Sequence, residues 1–117
     1  MIKVSCCGGR DFTDHALVDA RLSLLAKTIG VFAVVHGGAR GADTLCALWA
    51  ASKGYPVIEV AANWGFYQKS AGHKRNTWML ELCAPTYAVA FAGGAGTANM
   101  ASLIQQKPHI TLWDLRE

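Results

Sequence analysis

Charge is scarce in this chain of 117 residues: only 16% are Asp, Glu, Lys or Arg, and 11 basic against 8 acidic side chains leave a net charge of +3. That balance falls well short of the Lys/Arg density of a protein living on a nucleic-acid backbone, so nucleic acid is not the expected partner. Proline is rare, three in all, and the twelve glycines follow no collagen-like or linker-like period. With 52% hydrophobic residues the chain is far too apolar to be disordered. Cys6, Cys7, Cys46 and Cys83 lack the paired spacings of a zinc site, which leaves them as reduced thiols packed in a cytoplasmic protein, with no metal expected. Met1-Ile2-Lys3-Val4 runs directly into a strand-like stretch without the pattern of a signal peptide. No apolar run approaches the roughly 20 residues of a membrane helix. The expectation is a cytoplasmic single domain over residues 1–117 with no membrane partner. A chain of this size buries roughly two thirds of its unfolded surface and needs no staple.

What is present is an alternation. Ile2–Cys6, Phe32–His36, Val57–Ala61, Tyr87–Phe91 and Ile110–Trp113 are predicted strands, nearly continuous in apolar residues, as in a parallel sheet covered on both faces. Between the first two, Val18, Leu22, Leu25 and Ile29 recur at helical spacing, opened by Thr13 or Asp14 and stopped at Gly30. A second helix starts near Asp43 or Thr44, turns Leu45, Leu48 and Trp49 to one face and stops at Gly54. A third spans about Gly72 to Leu82, and a fourth opens at Thr97 and is ended by Pro108. Right-handed crossovers then give an α/β, doubly wound, parallel five-stranded sheet with helices on both faces. Ligands of such sheets bind beyond the carboxyl ends of the strands, where the strand order reverses.

Eight of the twelve glycines fall in the turns that follow strands one, two and four: Gly8 and Gly9; Gly37, Gly38 and Gly41; Gly93, Gly94 and Gly96. Each such turn brings backbone N–H groups to a helix N-terminus, where an anion such as phosphate is favoured. Tight βα turns also need glycine for geometry alone, so it is the coincidence of three that points to a ligand. The P-loop pattern is absent, and the first turn lacks the dinucleotide fingerprint, which excludes an ordinary P-loop ATPase or dehydrogenase. Arg10, Arg40 and Arg75 are the candidate anion clamps, while Lys69 and Lys74 read as solvated charges. Asn76 and Thr97 complete the candidate ligand set. Trp64 and Tyr67 lie in a predicted loop, where they either stack on a base or cover an edge. Asp11, Asp43 and Glu81 are the nearby acids, of which Asp11 and Asp43 are the catalytic candidates; Asp14 reads as a helix cap, and His36 and His73 either face the ligand or are satisfied locally. Cys6 and Cys7 read as packing.

Taken together, Gly8-Gly9-Arg10-Asp11-Phe12, the run from His36 to Asp43, Trp64 with Tyr67, Ala71-Gly72, Arg75-Asn76 with Met79-Leu80, and the run from Phe91 to Met100 resemble the YspA-type family of the SLOG superfamily, a domain of unknown function related to the LOG and DprA proteins. The resemblance runs over nearly the whole chain. It implies a Rossmann-like domain, found in bacteria and phages, that binds a nucleotide or a nucleotide-derived ligand. Gly93-Gly94-Ala95-Gly96-Thr97 is similar to the turn of LOG-type phosphoribohydrolases, whose pattern continues to a glutamate three residues past the threonine. Here that residue is Met100. A thioether cannot do the work of a carboxylate at an oxocarbenium-like transition state.

The leading expectation is therefore a binding domain, acting as a sensor, sequestering protein or regulatory module, with a nucleotide-derived small molecule as partner and no cofactor. The alternatives are a small N-glycosidase or phosphohydrolase working through Asp11 or Asp43, and a single-strand nucleic-acid binder with Trp64 and Tyr67 stacking on bases. Trp49, Trp64, Phe66 and Trp78 offer more apolar surface than a small monomer needs, so a homo-oligomer is expected.

Overall fold

The computed structural model describes residues 1–116, apart from the side chain of Lys69, so the solvated role expected for that lysine lies outside the described residues. The chain runs β1 (Ile2–Cys7), α1 (His15–Ile29), β2 (Phe32–His36), α2 (Ala42–Lys53), β3 (Val57–Glu59), α3 (Trp64–Tyr67), a 3-10 turn, α4 (Ala71–Glu81), β4 (Tyr87–Phe91), α5 (Ala95–Gln105) and β5 (Thr111–Leu115). The five strands form one parallel sheet in the order β3-β2-β1-β4-β5. Strand order reverses between β1 and β4, which makes the fold Rossmann-like.

Alternation along the strands divides the core in two. Val4, Cys6, Phe32, Val34, Val89 and Phe91 pack with Val18, Leu22, Leu25, Ala42, Cys46 and Trp49 of α1 and α2. Val35 and Ala88 pack with Met79, Leu80, Met100 and Ile104 of α4 and α5. The period-2 side-chain alternation of a strand produces this split without any change in composition. In the first layer Phe32 stacks on Trp49 at 5.6 Å, and Tyr55 meets Trp49 edge-on at 5.4 Å. The Trp49 indole N–H donates to Ser23 Oγ at 3.1 Å, so this ring is a core strut that ties α2 to α1.

The expected elements form, with informative shifts. β3 ends at Glu59 rather than Ala61, and Val57 and Glu59 are exposed, because β3 is an edge strand. On α2 the buried face is Ala42, Cys46, Trp49 and Ala50, and Leu48 points to solvent. α5 opens at Ala95, two residues before Thr97. The segment expected to be a loop at Trp64–Tyr67 is one helical turn, because the Asn63 side chain accepts from the Phe66 amide at 3.0 Å. Of the aromatics that suggested an oligomer, Trp49 is buried, whereas Trp64 and Phe66 are 50% and 74% exposed. No helix among the described residues is long and apolar enough to cross a membrane.

One buried polar group has no partner. Ser5 sits in mid-β1 opposite Val35 and Ala88, and its Oγ makes no hydrogen bond. A stranded hydroxyl carries a desolvation cost with nothing to offset it. Ser5→Ala is expected to raise the unfolding free energy by about 1 kcal/mol in urea titration; a loss of stability would contradict this account of the site.

Candidate functional site

The three glycine turns meet over the β1/β4 switch point and line an open cleft of about 1420 Å³. They are in contact with one another. The Gly9 amide donates to the Ala92 carbonyl at 2.8 Å, and the Gly9 carbonyl accepts from the Ala42 amide at 3.1 Å. Gly41, at φ +81°, presses so closely on this turn that a Cβ would lie 2.3 Å from the Gly9 oxygen. Both the left-handed backbone and the close approach exclude a side chain there.

Three successive amides of the β2–α2 turn are spent on the protein. Gly37 and Ala39 donate to Asp43 Oδ2 at 3.0 and 3.2 Å, and Gly38 donates to His36 Nδ1 at 3.0 Å. Asp43 is buried, and burial raises its pKa above the ordinary 3.8 even though the Ala39 and Gly37 amides, His36 and Arg75 all pull it down. Its carboxylate organises a loop. Because His36 Nδ1 accepts, the proton of the neutral ring lies on Nε2, which is 4.0 Å from Glu59 Oε1. At the lip of the cleft Arg40 lies 3.6 Å from Asp11, and both side chains are largely in solvent. Such a pair is weakly held and readily exchanged for another anion.

The β4–α5 turn is built differently. α1 is capped by Asp14, whose side chain accepts from the Leu17 amide at 3.0 Å, and α2 carries Asp43 in its first turn. α5 has Gly94 at its N-cap with no side-chain cap and no acid in its first turn. Gly94 and Gly96 face open space, with nothing within 4 Å of an added Cβ. Beside this turn, Arg75 Nη1 donates to the Gly37 carbonyl at 2.7 Å and Nε donates to Asn76 Oδ1 at 3.0 Å. The guanidinium lies against Gly37, where a Cβ would be 2.2 Å from Nη1. Asn76 in turn donates to the Gly96 carbonyl and to Asn99 Oδ1 at 3.2 and 3.0 Å. Arg75 is thus held in a fixed pose with Nη2 uncommitted among the described residues.

The cleft also takes in Gly8, Gly9, Arg10, Gly38, Gly93, Thr97, His73, Trp64 and Glu59. Thr97 is buried with its hydroxyl against Gly93, and Asn76 is a buried brace. Tyr67 stands outside the lining, packed edge-on against Phe66 and Trp78 with Lys74 over its ring. Gly41 also stands behind the cleft wall, and Glu81 is exposed at the far end of α4. Met100 is wholly buried in the second core layer, so this position is withdrawn from the cleft as well as uncharged. Burial, followed by the Asp43 charge, pushes the Cys7 thiol up to about 12, and Cys6 is raised by its hydrogen bond to Cys46 and by burial. Neither thiol is an activated nucleophile. No group of three or more metal-ligating side chains exists among the described residues. Sequence reasoning missed Glu59; the signal available was an acid in the middle of the predicted strand Val57–Ala61.

Since the folded pKa of Asp43 is raised, its contribution to stability is fully present below the unfolded pKa and is lost as pH rises through the folded value. Asp43→Asn keeps an acceptor for the Gly37 and Ala39 amides and removes the buried charge. Its urea stability relative to wild type is therefore expected to improve between pH 4 and pH 7. Asp43→Ala strands both amides and is expected to cost about 2 kcal/mol. An Asn variant whose deficit grows toward neutral pH would contradict this reading.

Comparison with known proteins agrees with the architecture. No curated protein matches the chain. The X-ray structure of TM1055, a structural genomics target, superposes with a TM-score of 0.65 at 18% identity, over 87% of this chain and 67% of its own. At that identity the likeness speaks for the fold alone. A family model matches residues 2–67, from β1 through α3, more than half of the sequence. The chain belongs to the YspA, cpYpsA-related SLOG family.

Proposed function

We propose that this domain binds a nucleotide-derived ligand as a sensor, sequestering protein or regulatory module, with a phosphate of the ligand seated on the first turn of α5. The observation that carries the proposal is the uneven use of the three turns. α1 meets the cleft with Asp14 on its Leu17 amide, and the β2–α2 turn meets it with the Gly37 and Ala39 amides on Asp43 and the first amide of α2 on the Gly9 carbonyl, while α5 meets it with neither cap nor acid, next to a braced Arg75. Free N–H groups at a helix N-terminus together with a planar guanidinium favour phosphate over a neutral ligand. Arg10 and the exchangeable Arg40 lie at the same cleft. Trp64, half exposed in the lining, offers a face to a base. SLOG membership points to the same ligand class.

Turnover is not favoured. Asp43 is committed to two amides, Asp11 stands in solvent at the lip, and Met100 is in the core. The test is a thermal-shift and calorimetric screen over nucleoside mono- and diphosphates, NAD and ADP-ribose, with product analysis of each mixture and mass spectrometry of whatever copurifies. Gly94→Asp is the informative variant, because a Cβ fits there and the new carboxylate would cap α5 itself. It is expected to raise the melting temperature of the free protein and to abolish nucleotide binding. Unchanged binding in Gly94→Asp would overturn the seat, and product formation lost in Asp11→Asn would overturn a pure binder.

A further inference from the structure

We propose that Glu59 receives the vicinal hydroxyls of the ligand's ribose, so that the cleft selects a ribonucleotide with an unsubstituted 2′,3′-diol. The inference rests on the phosphate seat at α5 and adds what lies at the other end of the cleft.

Among the described residues four carboxylates line the cleft, and three are accounted for: Asp43 holds its turn, Asp14 caps α1, and Asp11 faces Arg40 at the outer lip. Glu59 is the fourth. It pairs across the β2/β3 ladder with His36, so the register itself sets the two side by side. The His36 Nδ1 bond to the Gly38 amide turns Nε2–H toward the Glu59 carboxylate, 4.0 Å away. On its other side the backbone of Gly38, at φ +78°, comes so close that a Cβ would stand 2.9 Å from the Glu59 carboxyl carbon. The carboxylate is thus given a position between a ring and a glycine, yet 59% of the side chain remains open. Two oxygens of one carboxylate can accept from two adjacent hydroxyls, and a ribose diol presents that pair.

β3 and β4 are three strand intervals apart, about 14 Å. The reach of the glutamate side chain and a hydrogen bond at each end of the ligand close part of this span, and the phosphate and diol of a ribonucleotide bridge the rest. A 2′- or 3′-phosphate would meet the Glu59 charge and be refused.

The experiment is calorimetric titration of the wild-type chain and Glu59→Ala with ADP, 2′-deoxy-ADP, AMP and pyrophosphate. For a partly solvated hydroxyl contact, wild type is expected to bind ADP about ten-fold more tightly than 2′-deoxy-ADP. Glu59→Ala is expected to lose that preference while its affinity for pyrophosphate and its thermal unfolding stay as in wild type. Equal affinities for ADP and 2′-deoxy-ADP in wild type, or a preference that survives in Glu59→Ala, would overturn the ribose contact and leave the phosphate seat standing. Binding of pyrophosphate with no gain for ADP overturns it in the same way. Failure of all four compounds to bind would remove the nucleotide reading and this inference together.

Discussion

The peptide group of Gly9 is the point on which the carboxyl edge of the sheet depends. Its N–H reaches the β4 side at Ala92 and its carbonyl receives the first amide of α2, so one residue ties together the turns of three strands. Two glycines crowd it. Gly41 lies against its oxygen and Gly93 against its nitrogen, and neither approach leaves room for a Cβ. Close packing of this kind fixes the relative positions of loops that sequence places more than eighty residues apart. The cleft is preformed because the backbone closes on itself beneath it.

Within that frame, the deciding quantity is where each amide goes. Buried or half-buried N–H groups must find acceptors, and in the β2–α2 turn they find Asp43 and His36. The β4–α5 turn has no such internal acceptor at its N-cap. Turns that look alike by composition therefore divide into one whose amides are bound by its own side chains and one whose helix starts without a side-chain cap. A carboxylate two residues after Gly41 makes the difference, since it does for the protein what an anion would otherwise do.

Much of the fold was legible because the strands are short apolar runs and the helices carry their own stops; Gly30, Gly54 and Pro108 each fall where the chain must turn. The location of the cleft followed from strand order and the three glycine turns. Less legible were matters of face and partner. Spacing puts Leu48 on one face with Leu45 and Trp49, but Ala42, Cys46 and Trp49 fill the buried face, and a small residue in a close helix–sheet contact carries little hydrophobic signal. Asp43 stands in the sequence as a candidate catalytic acid, and only its two amide bonds show that it holds its own turn. Tyr67 and Trp64 are three residues apart on a one-turn helix, yet one packs against Trp78 and the other lines the cleft. Glu59 escaped because its significance comes from pairing with His36 in a neighbouring strand, a relation that no local window contains.

The brace formed by Arg75 and Asn76 has a mechanical meaning. Two consecutive side chains of α4 grip the Gly37 carbonyl on one side and the Gly96 carbonyl on the other. The first turn of α5 and the loop that carries Arg40 to the surface are therefore coupled through side chains as well as through backbone, and neither can shift without breaking a hydrogen bond of the other.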